Sequence, residues 1–127
     1  MVGGVPGSGR DEKKMSDEWV PDAGDIVIVD FDPRVGHEQG GNRPAVVLTP
    51  QSANRVLGMC IVLPVTSQEK NYPFEVRLPQ PGKVTGVVLC DQIKSMDWRS
   101  RNLKKAGTIP QSTLQAIRVM VKTLLGL

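Results

Sequence analysis

Residues 24–49, Gly24-Asp-Ile-Val-Ile-Val-Asp-Phe-Asp-Pro-Arg-Val-Gly-His-Glu-Gln-Gly-Gly-Asn-Arg-Pro-Ala-Val-Val-Leu-Thr49, set the architecture. They read as two strands around one long polar loop. Ile26 to Val29 is a β-branched run bounded by Gly24-Asp25 before and Asp32-Pro33 after, the pattern of a short strand. Ala45 to Leu48 is a second apolar run with Pro44 at its head, a place where a strand tolerates a residue without an N–H. Between them, residues 32–43 hold three glycines, a proline, the chain's one histidine (His37), Glu38, Gln39, Asn42 and Arg43. Polar loops held on rigid strands are where binding and catalytic groups concentrate.

Outward from this stretch the strand pattern continues. Gln51 to Leu57 has room for a turn or a short helix. Gly58 to Val65 (GMCIVLPV) predicts a strand buried on both faces, fraying at Pro64. Thr66 to Tyr72 is a second polar loop. Pro73 to Leu78 alternates, with Phe74, Val76 and Leu78 inward and Glu75 and Arg77 outward. A turn with Pro81-Gly82 leads to a strand at Gly86 to Cys90. Leu114, Ile117, Val121, Leu124 and Leu125 then mark one stripe of a terminal helix. That helix starts either with Pro110 in its first turn or later, at a Ser112…Gln115 capping box. Short strands broken by Pro/Gly turns and closed by one amphipathic helix predict a mainly β (α+β) domain, a small, partly open β-barrel with a covering helix.

Composition bounds the class. At 127 residues, 39% hydrophobic and 23% charged, the chain fits one globular domain. Its apolar runs are far shorter than the roughly 20 residues of a membrane-spanning helix. No secretory signal pattern opens it, and Cys60 and Cys90 sit in apolar runs as buried free thiols would, so a cytoplasmic location is expected. Residues 1–14 are glycine-rich and without periodicity. They read as a flexible leader, an added or upstream extension, with Met15 as an alternative start. We set residues 1–18 apart from a domain at 19–127. The first 18 residues hold three basic and four acidic side chains, so the net charge of +3 becomes +4 on the remainder. That excess permits contact with nucleic acid or an acidic peptide without requiring either.

Gly24 to Leu48 resembles the opening signature of the MazF/PemK family of toxin endoribonucleases, and the resemblance extends over roughly Trp19 to Leu127. The Glu38-Gln39…Arg43-Pro44 and Pro64-Val65-Thr66-Ser67-Gln68 segments carry it, with Asp91-Gln92-Ile93-Lys94 a third match. It implies an SH3-like barrel with a C-terminal helix and a homodimer. It also implies a metal-independent, sequence-selective cut in single-stranded mRNA, leaving a 2′,3′-cyclic phosphate and a 5′-hydroxyl. The implied setting is a type II toxin–antitoxin pair, with a cognate antitoxin whose acidic, flexible tail blocks the RNA path. No cofactor or metal is implied.

Cutting RNA without metal requires a base for the 2′-hydroxyl, a cation for the phosphate and an acid for the leaving 5′-oxygen. A two-histidine design is excluded, because the chain has one histidine. Arg43 offers a planar fork for two phosphate oxygens, permanently charged, at a loop–strand join. Its ordinary alternative is a surface arginine paired with a carboxylate; the family motif makes it catalytic. Glu38 is a base or an orienter on the same ground, and a solvated loop carboxylate otherwise. Thr66 can donate to a phosphate oxygen beside Arg43, or cap a strand end. The resemblance makes Arg43, Thr66 and Glu38 the catalytic set. His37, Gln39, Asn42, Ser67, Gln68, Lys70 and Gln92 then fall to RNA binding. Phe31 joins them as a stacking ring, with packing as its alternative, and Tyr72 is open in the same way. Asn42 stands where some members of the resembled family carry a histidine, a departure that counts against a His-assisted route.

Weaker signals remain. Asp30-Phe31-Asp32 places two carboxylates at i and i+2, but a strand-closing turn explains them better than Mg²⁺. No zinc spacing or phosphate-binding glycine fingerprint occurs. Residues 94–105 carry Lys94, Arg99, Arg101, Lys104 and Lys105 against Asp97. With Trp98 they form either a track for a single strand or a solvated basic turn with Trp98 packed under the terminal helix. The rival function is a non-catalytic toxin or interaction module that acts by binding a protein such as a topoisomerase, since small barrels serve both ends.

Overall fold

The computed structural model describes residues 18–30 and 42–127. Among the described residues seven strands and two helices follow in order: β1 (Asp25–Asp30), β2 (Asn42–Val47), α1 (Gln51–Leu57), β3 (Met59–Thr66), β4 (Glu75–Arg77), β5 (Val87–Leu89), β6 (Lys94–Asp97), β7 (Lys104–Thr108) and α2 (Gln111–Leu125). All pairings are antiparallel, in the order β4-β5-β3-β2-β1-β7, with β6 beside the first half of β3. The end strands β4 and β7 do not pair with each other, so the barrel is partly open, as the sequence predicts.

β3 is the strand that changes partner along its length. Its residues 59–62 pair with β6, while Val65 and Thr66 pair with Val88 and Val87 of β5. Pro64 falls in the gap between those two ladders. Its missing N–H therefore costs little, and the strand runs on to Thr66 instead of fraying. β2 likewise starts at Asn42, earlier than its apolar run. Asn42, Arg43 and Pro44 pair with Asp30, Val29 and Ile28 of β1, whereas the ladder to β3 begins only at Ala45.

Period-two alternation then serves two cores, one on each face of the sheet. Ile26, Val46, Leu63, Val65 and Val88 face inward with Leu114, Ile117 and Val121 of α2. Val27, Val29, Ala45, Val47, Cys60 and Val62 face the other way, where Val20, Met96, Trp98 and Leu103 cover them. Both cysteines are buried and unpaired, as expected.

α2 departs from the sequence reading at both ends. Pro110 is its extended N-cap residue, with ψ 155°, and no side chain caps the helix, so the Ser112…Gln115 box does not form. Leu124 and Leu125 remain 38% and 55% exposed, so the buried stripe ends at Val121. Trp98 packs beneath α1 rather than α2, its Nε1 donating to the Asn54 carbonyl at 2.9 Å. No helix among the described residues is long and apolar enough to cross a membrane.

Candidate active site

Arg43 and Thr66 come from neighbouring strands. The β2–β3 register pairs Ala45 with Pro64; two residues further out along both strands lie Arg43 and Thr66. Alternation gives them the same face of the sheet, the one on which Ala45, Val47 and Val62 are buried. Here the sheet reaches its rim. Arg43 is exposed and Thr66 half-buried, and no described acid forms an ion pair with Arg43. Lys94, paired with Val62 across β3–β6, joins the same face one step down the row.

Thr66 Oγ1 accepts a hydrogen bond from the Gln68 N–H at 3.1 Å. The hydroxyl thus caps the strand end, and its own proton remains available to donate, because a hydroxyl does both. The structural and the catalytic readings of Thr66 are compatible in one geometry. The following loop is held from below: Glu75 accepts the N–H of Lys70 at 3.3 and 3.2 Å and that of Asn71 at 2.9 Å. Glu69 and Arg77 pair across its base. Ser67, Gln68, Lys70 and Tyr72 stand exposed on it. Asn42 is exposed at the start of β2. Gln92 is exposed in the turn before β6, its N–H donating to Leu89 O at 3.1 Å.

Phe31, His37, Glu38 and Gln39 lie outside the described residues. Of the candidates, the structure therefore places Asn42 and Arg43 at the start of β2, Thr66 at the end of β3, Ser67, Gln68 and Lys70 on the loop that follows, and Gln92 in the turn before β6. Glu75, which holds this loop, has no mark in the sequence beyond that of an outward strand residue.

Three cations of the basic segment are tied to the fold. Arg99 lies 4.7 Å over the Trp98 ring and 3.5 Å from Glu18. Arg101 donates to Asp30 O at 3.3 Å, and Lys105 sits 3.4 Å from the buried Asp25. The Ser100 backbone N–H and side chain hold the Asp97 carboxyl below the usual carboxylate range, helped by the Arg99 N–H and charge. Trp98 is 3% exposed and has no face for a base. Among the described residues no three His, Cys, Asp or Glu side chains gather as a metal-ligand set.

A family model described as PemK-like, MazF-like toxin of type II toxin–antitoxin system matches residues 22–125. The chain belongs to this family. The endoribonuclease toxin MazF of Escherichia coli (strain K12) is 48% identical over 112 residues, 88% of this chain and 100% of that protein. The endoribonuclease PemK of Escherichia coli is 37% identical over 106 residues, 80% of each. Among solved structures, a MazE–MazF crystal structure from Deinococcus radiodurans matches with a TM-score of 0.81 and 48% identity, over 87% of this chain and 99% of the matched one. MazF alone from the same organism gives 0.79 at 48% identity, over 87% and 100%. Relatives this similar, and named endoribonucleases, remove the ground for the non-catalytic alternative.

Proposed function

We propose that this PemK/MazF-family toxin cuts single-stranded RNA by internal transesterification, with Arg43 and Thr66 on the scissile phosphate. Endoribonuclease class itself follows from family membership and the named relatives. The observation that supports the site is the placement of an exposed guanidinium and a donor-capable hydroxyl at adjoining positions of β2 and β3, on one face.

Arg43 holds two phosphate oxygens with its planar fork and offsets the charge that grows on them. The Thr66 O–H donates to the same group. The 2′-oxygen attacks phosphorus as its proton passes to a base, and Glu38 is either that base or the group orienting it. The P–O5′ bond breaks, the 5′-oxygen takes up a proton, and a 2′,3′-cyclic phosphate and a 5′-hydroxyl result. The scheme uses no metal. Unstacked bases are needed for sequence reading, so the substrate is single-stranded mRNA. Asn42, Ser67, Gln68, Lys70 and Gln92, with Phe31, His37 and Gln39, flank the phosphate site and contact the RNA.

A cognate antitoxin is the partner, in line with the MazE–MazF complexes among similar structures. Its acidic, flexible tail folds along the RNA path, attracted by the +4 charge of residues 19–127. The toxin works as a homodimer in the cytoplasm.

The test uses 5′-labelled single-stranded RNA in excess EDTA, with the intact chain and Arg43→Ala. Discrete fragments ending in cyclic phosphate, lost in the variant while the fold is kept, are expected. Equal cleavage by the variant would remove Arg43 from the site, and cleavage that needs added Mg²⁺ would replace the metal-free scheme.

A further inference from the structure

The backbone of Thr66 is approached closely from outside the loop that follows it. Gly86 precedes β5 with φ +124°, a backbone conformation L side chains rarely adopt. A Cβ built on it would meet Thr66 O at 2.2 Å, Thr66 C at 2.9 Å and Ser67 Cα at 3.3 Å. All three atoms belong to the backbone, so no side chain can swing aside to make room. The other side of Gly86 is fixed as well: its carbonyl accepts the Leu78 N–H at 2.9 Å, and Leu78 is 1% exposed. The next residue, Val87, is the ladder partner of Thr66 and is also 1% exposed.

We infer that Gly86 is a positioning residue for the Thr66 hydroxyl. Its bare backbone lets the head of β5 press directly on the Thr66–Ser67 peptide. That contact sets where β3 ends and where the hydroxyl points. The inference rests on the proposed role of Thr66 at the phosphate. At Gly107, by contrast, an added Cβ meets nothing nearer than Ile26 Cδ1 at 3.8 Å, so a methyl group is accommodated there.

The experiment is single-turnover RNA cleavage by the full chain, Gly86→Ala, Thr66→Ala and the double variant, with circular dichroism to verify folding and Gly107→Ala as a control. Displacing a reacting group by about 1 Å costs on the order of 10²-fold in rate. A loss of that size is expected for Gly86→Ala in the rate at saturating protein. In the Thr66→Ala background the same substitution changes the rate by no more than about twofold, because the group it displaces is already gone. Equal losses in both backgrounds, or no loss in a folded Gly86→Ala, overturn the inference. If Gly86→Ala does not fold, Val87→Ala, at the ladder partner of Thr66, replaces it and the cycle is read by the same criteria. If the unaltered chain makes no cut, or Thr66→Ala cuts as well as it does, the function reading fails first. That outcome is distinct from a failure confined to Gly86.

Discussion

The indole Nε1 of Trp98 donates a 2.9 Å hydrogen bond to the backbone carbonyl of Asn54, a residue 44 positions earlier in the chain. Asn54 in turn holds the incoming chain, its Nδ2 donating to Pro21 O at 2.8 Å and to Thr49 O at 2.9 Å. The segment before β1, helix α1 and the turn after β6 therefore meet at one buried knot over the second core. A ring that supports this knot does not also stack on RNA.

Trp98→Phe separates the two roles. Losing the indole donor costs about 1 kcal/mol, since the Asn54 carbonyl keeps the Gly58 N–H at 2.9 Å. Trp98→Ala costs roughly 3–5 kcal/mol because it empties a large core site. Urea unfolding measures both. RNA affinity of the folded Trp98→Phe protein is expected to match the unaltered chain; a large drop in affinity at unchanged stability would make Trp98 an RNA contact after all.

Asp22 is a remote cap for α1. Its Oδ1 accepts the Gln51 N–H at 2.8 Å and the Ala23 N–H at 2.9 Å, whereas the helix's own N-cap residue, Pro50, supplies no side-chain bond. Asp22→Ala is expected to lower stability by about 0.5–2 kcal/mol, and Asp22→Asn by less, the usual range for a lost cap. A denaturant midpoint unmoved in Asp22→Ala would mean that water replaces the carboxylate at no cost.

How far the sequence carried depended on what each element buries. β1, β3 and β5 are apolar runs and were visible as such. β6 and β7 show in the sequence only as a charged segment, because a single residue of β6, Met96, is buried and β7 has none. They are strands because β3 and β1 offer them a ladder, which is a tertiary cause without a local pattern. The start of β2 was hidden similarly: Asn42-Arg43-Pro44 has poor strand character, yet pairs with β1. In the candidate site, the adjacency of Arg43 and Thr66 follows from the two motifs they sit in, whereas the close approach at Gly86 does not, because a glycine at a strand head has no signature until the neighbouring backbone is in place.

Arg43→Lys tests geometry at constant charge. The guanidinium presents a rigid fork, whereas an ammonium is a point charge on a flexible stem. The Arg43 side chain is exposed, so stability is expected to change by no more than about 0.5 kcal/mol. Cleavage rate falls by about 10²-fold if the fork stabilises the transition state, the cost of one misplaced oxyanion donor. Salt dependence of RNA binding stays the same, because the charge is retained. A lysine variant as fast as the unaltered chain would reduce Arg43 to a general cation.

The two thiols predict an alkaline weakness. Burial pushes Cys60 up to about 11 from an ordinary 9.0, and burial, with the Asp91 charge, does the same to Cys90. Each folded pKa lies above the unfolded one, so the fold holds the neutral thiols. Their contribution is complete below pH 9 and is lost as pH rises through about 11. Within that window each thiol removes about 1.4 kcal/mol per pH unit. Unfolding midpoints measured from pH 8 upward are therefore expected to fall more steeply for the unaltered chain than for a Cys60→Ala/Cys90→Ala variant, which cancels the titration of every other group. Iodoacetamide at pH 8 should label neither cysteine until the protein is unfolded. Parallel pH curves for the two proteins, or rapid labelling in the native state, would show that the thiols reach solvent without unfolding.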